Sequence, residues 1–281
     1  MTPNSAVLAP IPSAMVRTAV RVKTGRRSRT RMADRILTGY SWQIGKLLAR
    51  YDHGCGVWMT EAESVRVRYA RRADRPDPAL PLFLKERERA LGRWLQESGL
   101  NPNEARVLEI GCGSGGNLAA LLRLGFTPAN LSGVELIEER VVDARRQLPS
   151  DVQLRGGDAL DVPLAPASFE VVMLFTVFSS LLDEAYRRRL AAHVWHLVNA
   201  GGGVLWYDFC FGNPRNPDVR GIPLKEVRAL FPEGTMRVRR ITLAPPLARA
   251  AVRVHPALYH VLNVVPLLRT HVLCWIRKET N

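Results

Sequence analysis

The chain has 281 residues, 47% of them apolar, enough for a sizeable core in one large α/β domain with appendages or in two small domains. Its formal charge of +14 points to nucleic acid until the charge is located: residues 1–50 hold ten Lys or Arg against Asp34 alone, a net of +9, which leaves +5 for the other 231 residues and argues against a basic binding face on the folded part. Cys55, Cys112, Cys210 and Cys274 lack CxxC spacing, which speaks against a zinc site or a disulfide framework and for a reducing, cytoplasmic setting; no apolar run of 18 residues exists to span a membrane, leaving room only for peripheral contact.

The first thirty-one residues contain no acid and mix Arg with Ser, Thr and Pro, the composition of a disordered segment. Three readings compete for it: an Arg-rich targeting peptide, an electrostatic tether for nucleic acid or anionic lipid, and an extension that precedes a working start at Met32. From Ile36 to Leu48 apolar residues recur at helical spacing. A polar linker, "VRVRYARRADRPDP", follows, and then "LPLFLKERERALGRWLQESGL", from Leu80 to Leu100, predicts an amphipathic helix ended by Gly99. The expected division is a basic tail over 1–35, a helical and linker segment over 36–79, and one domain over 80–281.

Beyond Leu108 short apolar strands alternate with helices: "VLEI" at 107–110, "LSGVEL" at 131–136, "VQLR" at 152–155, "FEVVMLF" at 169–175 and "GGVLWYDF" at 202–209. That alternation implies a parallel sheet with helices on both faces. The ending breaks the rhythm, because strands "MRVRRITLA" (236–244) and "HVLCWIRK" (271–278) are separated by a helical, Pro-punctuated segment. A last strand inserted antiparallel suits it. The segment from Leu243 to Leu268 reads as a helix packed on the sheet or as a lid over an apolar or lipid-linked acceptor.

The stretch "RVLEIGCGSGGNLAAL", 106–121, joins a strand to a helix through four glycines, the way a chain presents backbone N–H groups to a nucleotide-like ligand. Gly111, Gly113 and Gly116 also fit the loose dinucleotide pattern, so the glycines alone do not name the ligand. Three acids narrow the choice. Glu109 lies inside the apolar strand, where a carboxylate is costly unless partnered, and a cationic, amino-bearing ligand gives it a reason to be there. Glu135, ending the second strand, is placed to accept from a ribose diol, and Asp158, after the third, to accept from an adenine amino group. Together they outline a pocket for an adenosine without phosphate.

The runs "VLEIGCGSGG", "GVEL", "GGDALDVPLAPASFEVVMLF" and "NAGGGVLWYDF", in that order, resemble the class I S-adenosylmethionine-dependent methyltransferases over roughly Leu80 to Lys278. The resemblance implies a Rossmann-like, doubly wound sheet of seven strands with the last antiparallel, preceded here by a helical extension. It implies S-adenosylmethionine as cofactor, with Gly111, Cys112, Gly113 and Gly115 near its methionine and ribose, and Glu135 and Leu136 at the ribose. Asp158 and Ala159 face the adenine, and Phe175 and Thr176 close over the sulfonium. Tyr69 and Arg72 reach towards the methionine carboxylate.

The nucleic-acid N-methyltransferases carry an Asn/Asp-Pro-Pro-aromatic run where this chain has "FTVFSSLLDE", so the expected acceptor is an oxygen on a small molecule or on a glycan or lipid-linked intermediate. Two rival readings are an RNA-binding methyltransferase tethered by its tail and a non-catalytic S-adenosylmethionine-binding partner of another enzyme. Asp208, after the fifth strand, is the candidate general base, set against a brace for the Pro-rich loop "FGNPRNP", whose Asn213, Arg215 and Asn216 are turn formers or substrate contacts. His193 and His196 share a helix face with no third ligand, and no metal is expected.

Overall fold

Strand β1 (Val107–Ile110) lies between two parallel neighbours, β2 (Leu131–Glu135) and β4 (Phe169–Phe175), with Ile110 opposite both Val134 and Leu174. Around it β3 (Gln153–Gly156), β5 (Val198–Phe209), β6 (Thr235–Leu243) and β7 (Arg269–Arg277) complete a sheet of order β3-β2-β1-β4-β5-β7-β6. Only β7 runs against the rest, pairing antiparallel with β5 and β6. The doubly wound sheet with an antiparallel last strand is the one expected from the sequence. This computed structural model describes residues 59–71, 76–212 and 216–280, within a unit spanning Trp58–Asn281. The basic tail, the helix expected over 36–48, Cys55, Arg72, Asn213 and Arg215 fall outside the described residues.

The strands of the sheet centre read as near-continuous apolar runs because helices cover both faces. On one face Leu108, Val172 and Trp206 pack with Leu190, Val194 and Leu197 of the helix Glu184–Leu197; on the other, Val107, Met173 and Leu205 meet Leu91, Leu118 and Leu121. Each such side chain contributes about 1.5–3 kcal/mol by leaving water. Helix α1 is Glu61–Arg71, α2 Leu80–Ser98, α3 Gly116–Arg123, α4 Glu138–Gln147 and α5 Glu184–Leu197. As predicted, α2 stops where Gly99 takes a left-handed φ of 71°.

The first part of the polar run, from Val65 to Arg71, is helical rather than linker. Thr60 and Glu63 bond each other's backbone N–H groups, at 2.9 and 3.2 Å, in a capping box that starts α1, and Ala62 and Val65 supply its buried side. Glu61 then accepts from the Leu182 amide at 2.6 Å, and Arg68 donates to the Ser180 carbonyl at 2.7 Å. Those bonds hold α1 over the turn that follows β4.

Helix α6 (Leu224–Leu230) precedes β6, while α7 (Pro245–Val254) and α8 (Pro256–Asn263) form the β6–β7 connection. Both prolines sit in the first turn, where a missing N–H costs nothing. Among the described residues no helix is long and apolar enough to cross a membrane.

Candidate cofactor and acceptor site

The strand order reverses between β1 and β4, and the crevice at their carboxyl ends is where such sheets bind ligands. The turn leaving β1 is built on left-handed backbone, with φ of 72° at Gly111, 55° at Gly113 and 84° at Gly115. A Cβ at Gly115 would lie 2.6 Å from Leu148 Cδ1, so the turn can approach α4 only as glycine. At Gly113 the corresponding space is open, and the residue's N–H points at β2.

Gly113 N–H donates to Glu135 Oε2 at 2.7 Å, and Ile137 N–H donates to Oε1 at 3.0 Å. Both carboxylate oxygens keep a lone pair after these bonds. Asp158 Oδ1 accepts from Leu160 N–H at 2.9 Å and from the Tyr186 hydroxyl at 2.5 Å; Oδ2 has no partner among the described residues. Burial and the adjacent Asp158 push the Tyr186 phenol upwards, so it stays a donor.

Glu135, Ile137, Asp158 and Tyr186 share one cavity of about 140 Å³, lined also by Gly111, Leu136, Ala159, Phe175, Thr176 and Tyr69. Among the sequence-predicted residues described, Glu109, Cys112, Gly113, Gly115 and Asp208 do not line it. Tyr69 faces the cavity from α1, its hydroxyl 3.1 Å from Ser180 Oγ and the Arg140 guanidinium 4.6 Å from its ring centroid. Thr176 is one of the few non-glycine residues with positive φ, 56°, and its N–H is held by the Tyr207 carbonyl at 2.7 Å. Such backbone costs about 1–3 kcal/mol and concentrates at functional sites.

Glu109 is fully buried beneath the glycine turn. Its Oε1 accepts from Asn117 Nδ2 at 2.5 Å, whereas Oε2 has no partner. Burial pushes its carboxyl up to about 8, which keeps it mostly protonated at neutral pH and avoids the larger cost of a buried charge. Cys112 packs against Gly133, where a Cβ would lie 2.7 Å from its Sγ.

Asp208, fully buried at the end of β5, accepts from the backbone N–H of Ser179 and of Phe209, each at 2.9 Å. Burial pushes it up to about 7. Its bond to Ser179 fixes the turn that carries Thr176 and Val177. Arg187, 1% exposed, reinforces the same turn through the Leu181 carbonyl at 2.6 Å and its ion pair with Glu226.

Two residues that sequence reasoning missed stand at the same sheet edge. The Arg87 guanidinium lies 5.8 Å from the Phe175 ring centroid and 5.7 Å from that of Tyr207, close enough to act on the buried Glu109 carboxyl through its charge. Its signal was present: Arg87 falls on the apolar stripe of α2 with Phe83, Ala90, Leu91 and Trp94. His271 stacks on Tyr207 at 5.2 Å and 16°, and burial pushes its imidazole down to about 4, so it is neutral. Its Nδ1 lies 3.1 Å from Thr270 Oγ1, and Nε2 has no bond among the described residues. No local signal marked it. Among the described residues no group of three or more His, Cys, Asp or Glu is placed to hold a metal ion.

Comparison with known proteins bears on what this site holds. The family model "Methyltransferase domain" matches residues 107–202. A fatty-acid O-methyltransferase of Mycolicibacterium smegmatis is 31% identical over 110 residues, 37% of this chain and 36% of that protein. A phthiotriol/phenolphthiotriol dimycocerosates methyltransferase of Mycobacterium ulcerans is 32% identical over 130 residues, 43% of this chain and 45% of the relative. The chain thus spans less than half the length of either. A putative sarcosine dimethylglycine methyltransferase structure from Galdieria sulphuraria superposes with a TM-score of 0.53 at 13% identity, covering 68% of this chain and 85% of that one, which is a likeness of fold.

Proposed function

On the premise that this chain carries a class I S-adenosylmethionine-dependent methyltransferase domain, we propose that it methylates an oxygen of an apolar, lipid-like acceptor. The observation that supports the cofactor part most strongly is the meeting of Glu135, Asp158 and the glycine turn around one cavity at the switch point of the sheet. The residues present fit the group. Glu135 offers its remaining lone pairs to the ribose hydroxyls, and Asp158 Oδ2 faces an adenine amino group, with Leu136 and Ala159 against the ring. Gly111 gives the methionine and ribose a close backbone surface, over which Phe175 and Thr176 close, while Cys112, Gly113 and Gly115 set the shape of the turn behind it. Tyr69 and Arg72 are assigned to the methionine carboxylate. Bound there, the cofactor supplies a methyl group already activated on a sulfonium, so the protein's work is positioning.

His271 is the group we assign to take the proton of a hydroxyl acceptor, since its imidazole is neutral and Nε2 is unengaged. Asp208, whose oxygens both accept backbone N–H bonds, positions the turn after β4. Phe175, at the cavity, gives the acceptor an apolar wall with the Tyr207–His271 stack behind it, and Arg87 presents a cation to an acidic head group. The fatty acid and the dimycocerosates in the names of the two mycobacterial relatives favour a lipid-like acceptor over nucleic acid.

The test is transfer of labelled methyl from S-adenosylmethionine into a mixed extract. Label in the organic-soluble fraction is expected. Label in RNA instead would overturn the acceptor class and favour a role for the basic residues 1–50.

A further inference from the structure

The β6–β7 connection carries apolar side chains that the domain leaves bare. Because β6 runs parallel to β1–β5 and β7 runs against them, the chain leaves the sheet at Leu243 and returns at Arg269 on its carboxyl edge, the edge that bears Glu135, Phe175 and His271. One side of α8 is fixed there. Tyr259 donates to Glu86 Oε2 at 2.5 Å and Asn263 Nδ2 to Oε1 at 2.7 Å, while Thr242 N–H reaches the same Oε1 at 3.1 Å.

Away from that anchor, Val254 is 76% exposed, Val261 63%, Val264 72% and Leu267 86%, with Leu258 and Val265 also exposed. Six large aliphatic side chains within fourteen residues form a contiguous stretch that calls for a partner, unlike the scattered apolar residues ordinary on protein surfaces.

We propose that this surface docks the protein onto an anionic lipid bilayer, with α8 and the turn Pro266–Leu268 entering the headgroup boundary. Charge selects this occupant. From Arg240 to Arg269, the part at the carboxyl edge, the chain holds four Arg and no Asp or Glu, with Arg249 paired to Asp77 at 3.0 Å. Arg253, exposed, adjoins Val254, and Arg240 lies 6.0 Å from the ring centroid of exposed Phe211 at the same edge. Apolar side chains flanked by arginines are the pattern of an interfacial helix, where lipid phosphates meet the cations as the aliphatic groups leave water. A second copy would bury the same side chains, but a two-fold contact would set this acid-free segment against itself. The proposal deepens the reading above, because a bilayer-held acceptor would enter at the cofactor edge.

The test uses the full chain and sedimentation with phosphatidylcholine vesicles, with and without phosphatidylglycerol. Binding to the anionic vesicles is expected, and Val261→Glu with Leu267→Glu should lower it at least tenfold while S-adenosylmethionine affinity is unchanged. If the double variant binds as the wild type does, adsorption comes from elsewhere, such as basic residues 1–50, and the proposal is wrong. It is equally wrong if the wild type ignores both vesicles, or if it is a dimer that the double variant dissociates. Loss of cofactor binding by the wild type would instead strike the functional reading, whatever the vesicles do.

Discussion

The Gly113 amide donates to Glu135 Oε2 at 2.7 Å, which ties the turn leaving β1 to the acid that ends β2. One bond therefore couples the shape of the glycine turn to the group assigned to the ribose. Charged acceptors make hydrogen bonds worth about 1.5–3 kcal/mol each. Glu135→Ala should weaken S-adenosylmethionine at least tenfold in calorimetry, and Glu135→Gln, which keeps acceptor capacity on one oxygen, should weaken it less. Unchanged affinity in a folded Glu135→Ala protein would remove the residue from the site.

Gly115 and Gly116 are adjacent yet should respond oppositely to alanine. At Gly115 an Ala would have to hold φ at 84° with its Cβ 2.6 Å from Leu148. At Gly116, in the first turn of α3, nothing lies within 4 Å. Gly115→Ala should destabilise by more than about 1–2 kcal/mol, the left-handed penalty alone, whereas Gly116→Ala should be neutral or stabilise by about 0.5–1 kcal/mol. Urea unfolding of both variants measures the difference.

Glu109 and Asp208 give stability a pH dependence of definite sign. Burial raises Glu109 to about 8 and Asp208 to about 7, above their unfolded values, so across roughly pH 4–8 the folded chain holds protons that the unfolded chain has released. Their contribution to stability therefore falls as pH rises through that window. Glu109→Gln cannot ionise, and its melting temperature should decline less between pH 5 and 8 than that of the wild type. Parallel curves would show that Glu109 is charged in the folded protein. The same variant separates two roles, because weaker cofactor binding at full stability would mean that Glu109 organises the turn around a cationic ligand.

His271 is lowered to about 4 by burial, so it is unprotonated throughout the neutral range, a weak base whose contribution is lost only as pH falls towards 4. His271→Gln should lower kcat about 10²–10⁴-fold on a hydroxyl acceptor and leave S-adenosylmethionine affinity intact. A variant with undiminished kcat would return the assignment of base to Asp208 or show that the acceptor needs none.

Much of this was legible in the chain. Gly99 marks the end of α2, and the glycines at 111, 113 and 115 mark the turn, because φ between 55° and 84° is a demand few other residues meet. Glu135 and Asp158 could be expected at the cavity they line because each follows its strand at the edge that carries the turn, a placement that the βα alternation dictates. Helix α1 was hidden because arginines dilute its apolar side, although the Thr60–Glu63 capping box was there to be read. His271 was hidden for a different reason: what gives it meaning is Tyr207, sixty-four residues earlier, and only the antiparallel pairing of β7 with β5 brings them together. Asp208 looked like a base because of its strand end, while its burial and its bond to Ser179 are tertiary facts.

The cavity beside Glu135 and Asp158 is the one assigned to an adenosine that bears a sulfonium and no phosphate. Calorimetric titration of the full chain with S-adenosylmethionine and, separately, with NADH tests that most directly. Micromolar binding of S-adenosylmethionine, weakened at least tenfold by Glu135→Ala, with no binding of NADH, is the predicted result. Micromolar NADH binding without S-adenosylmethionine binding would contradict it.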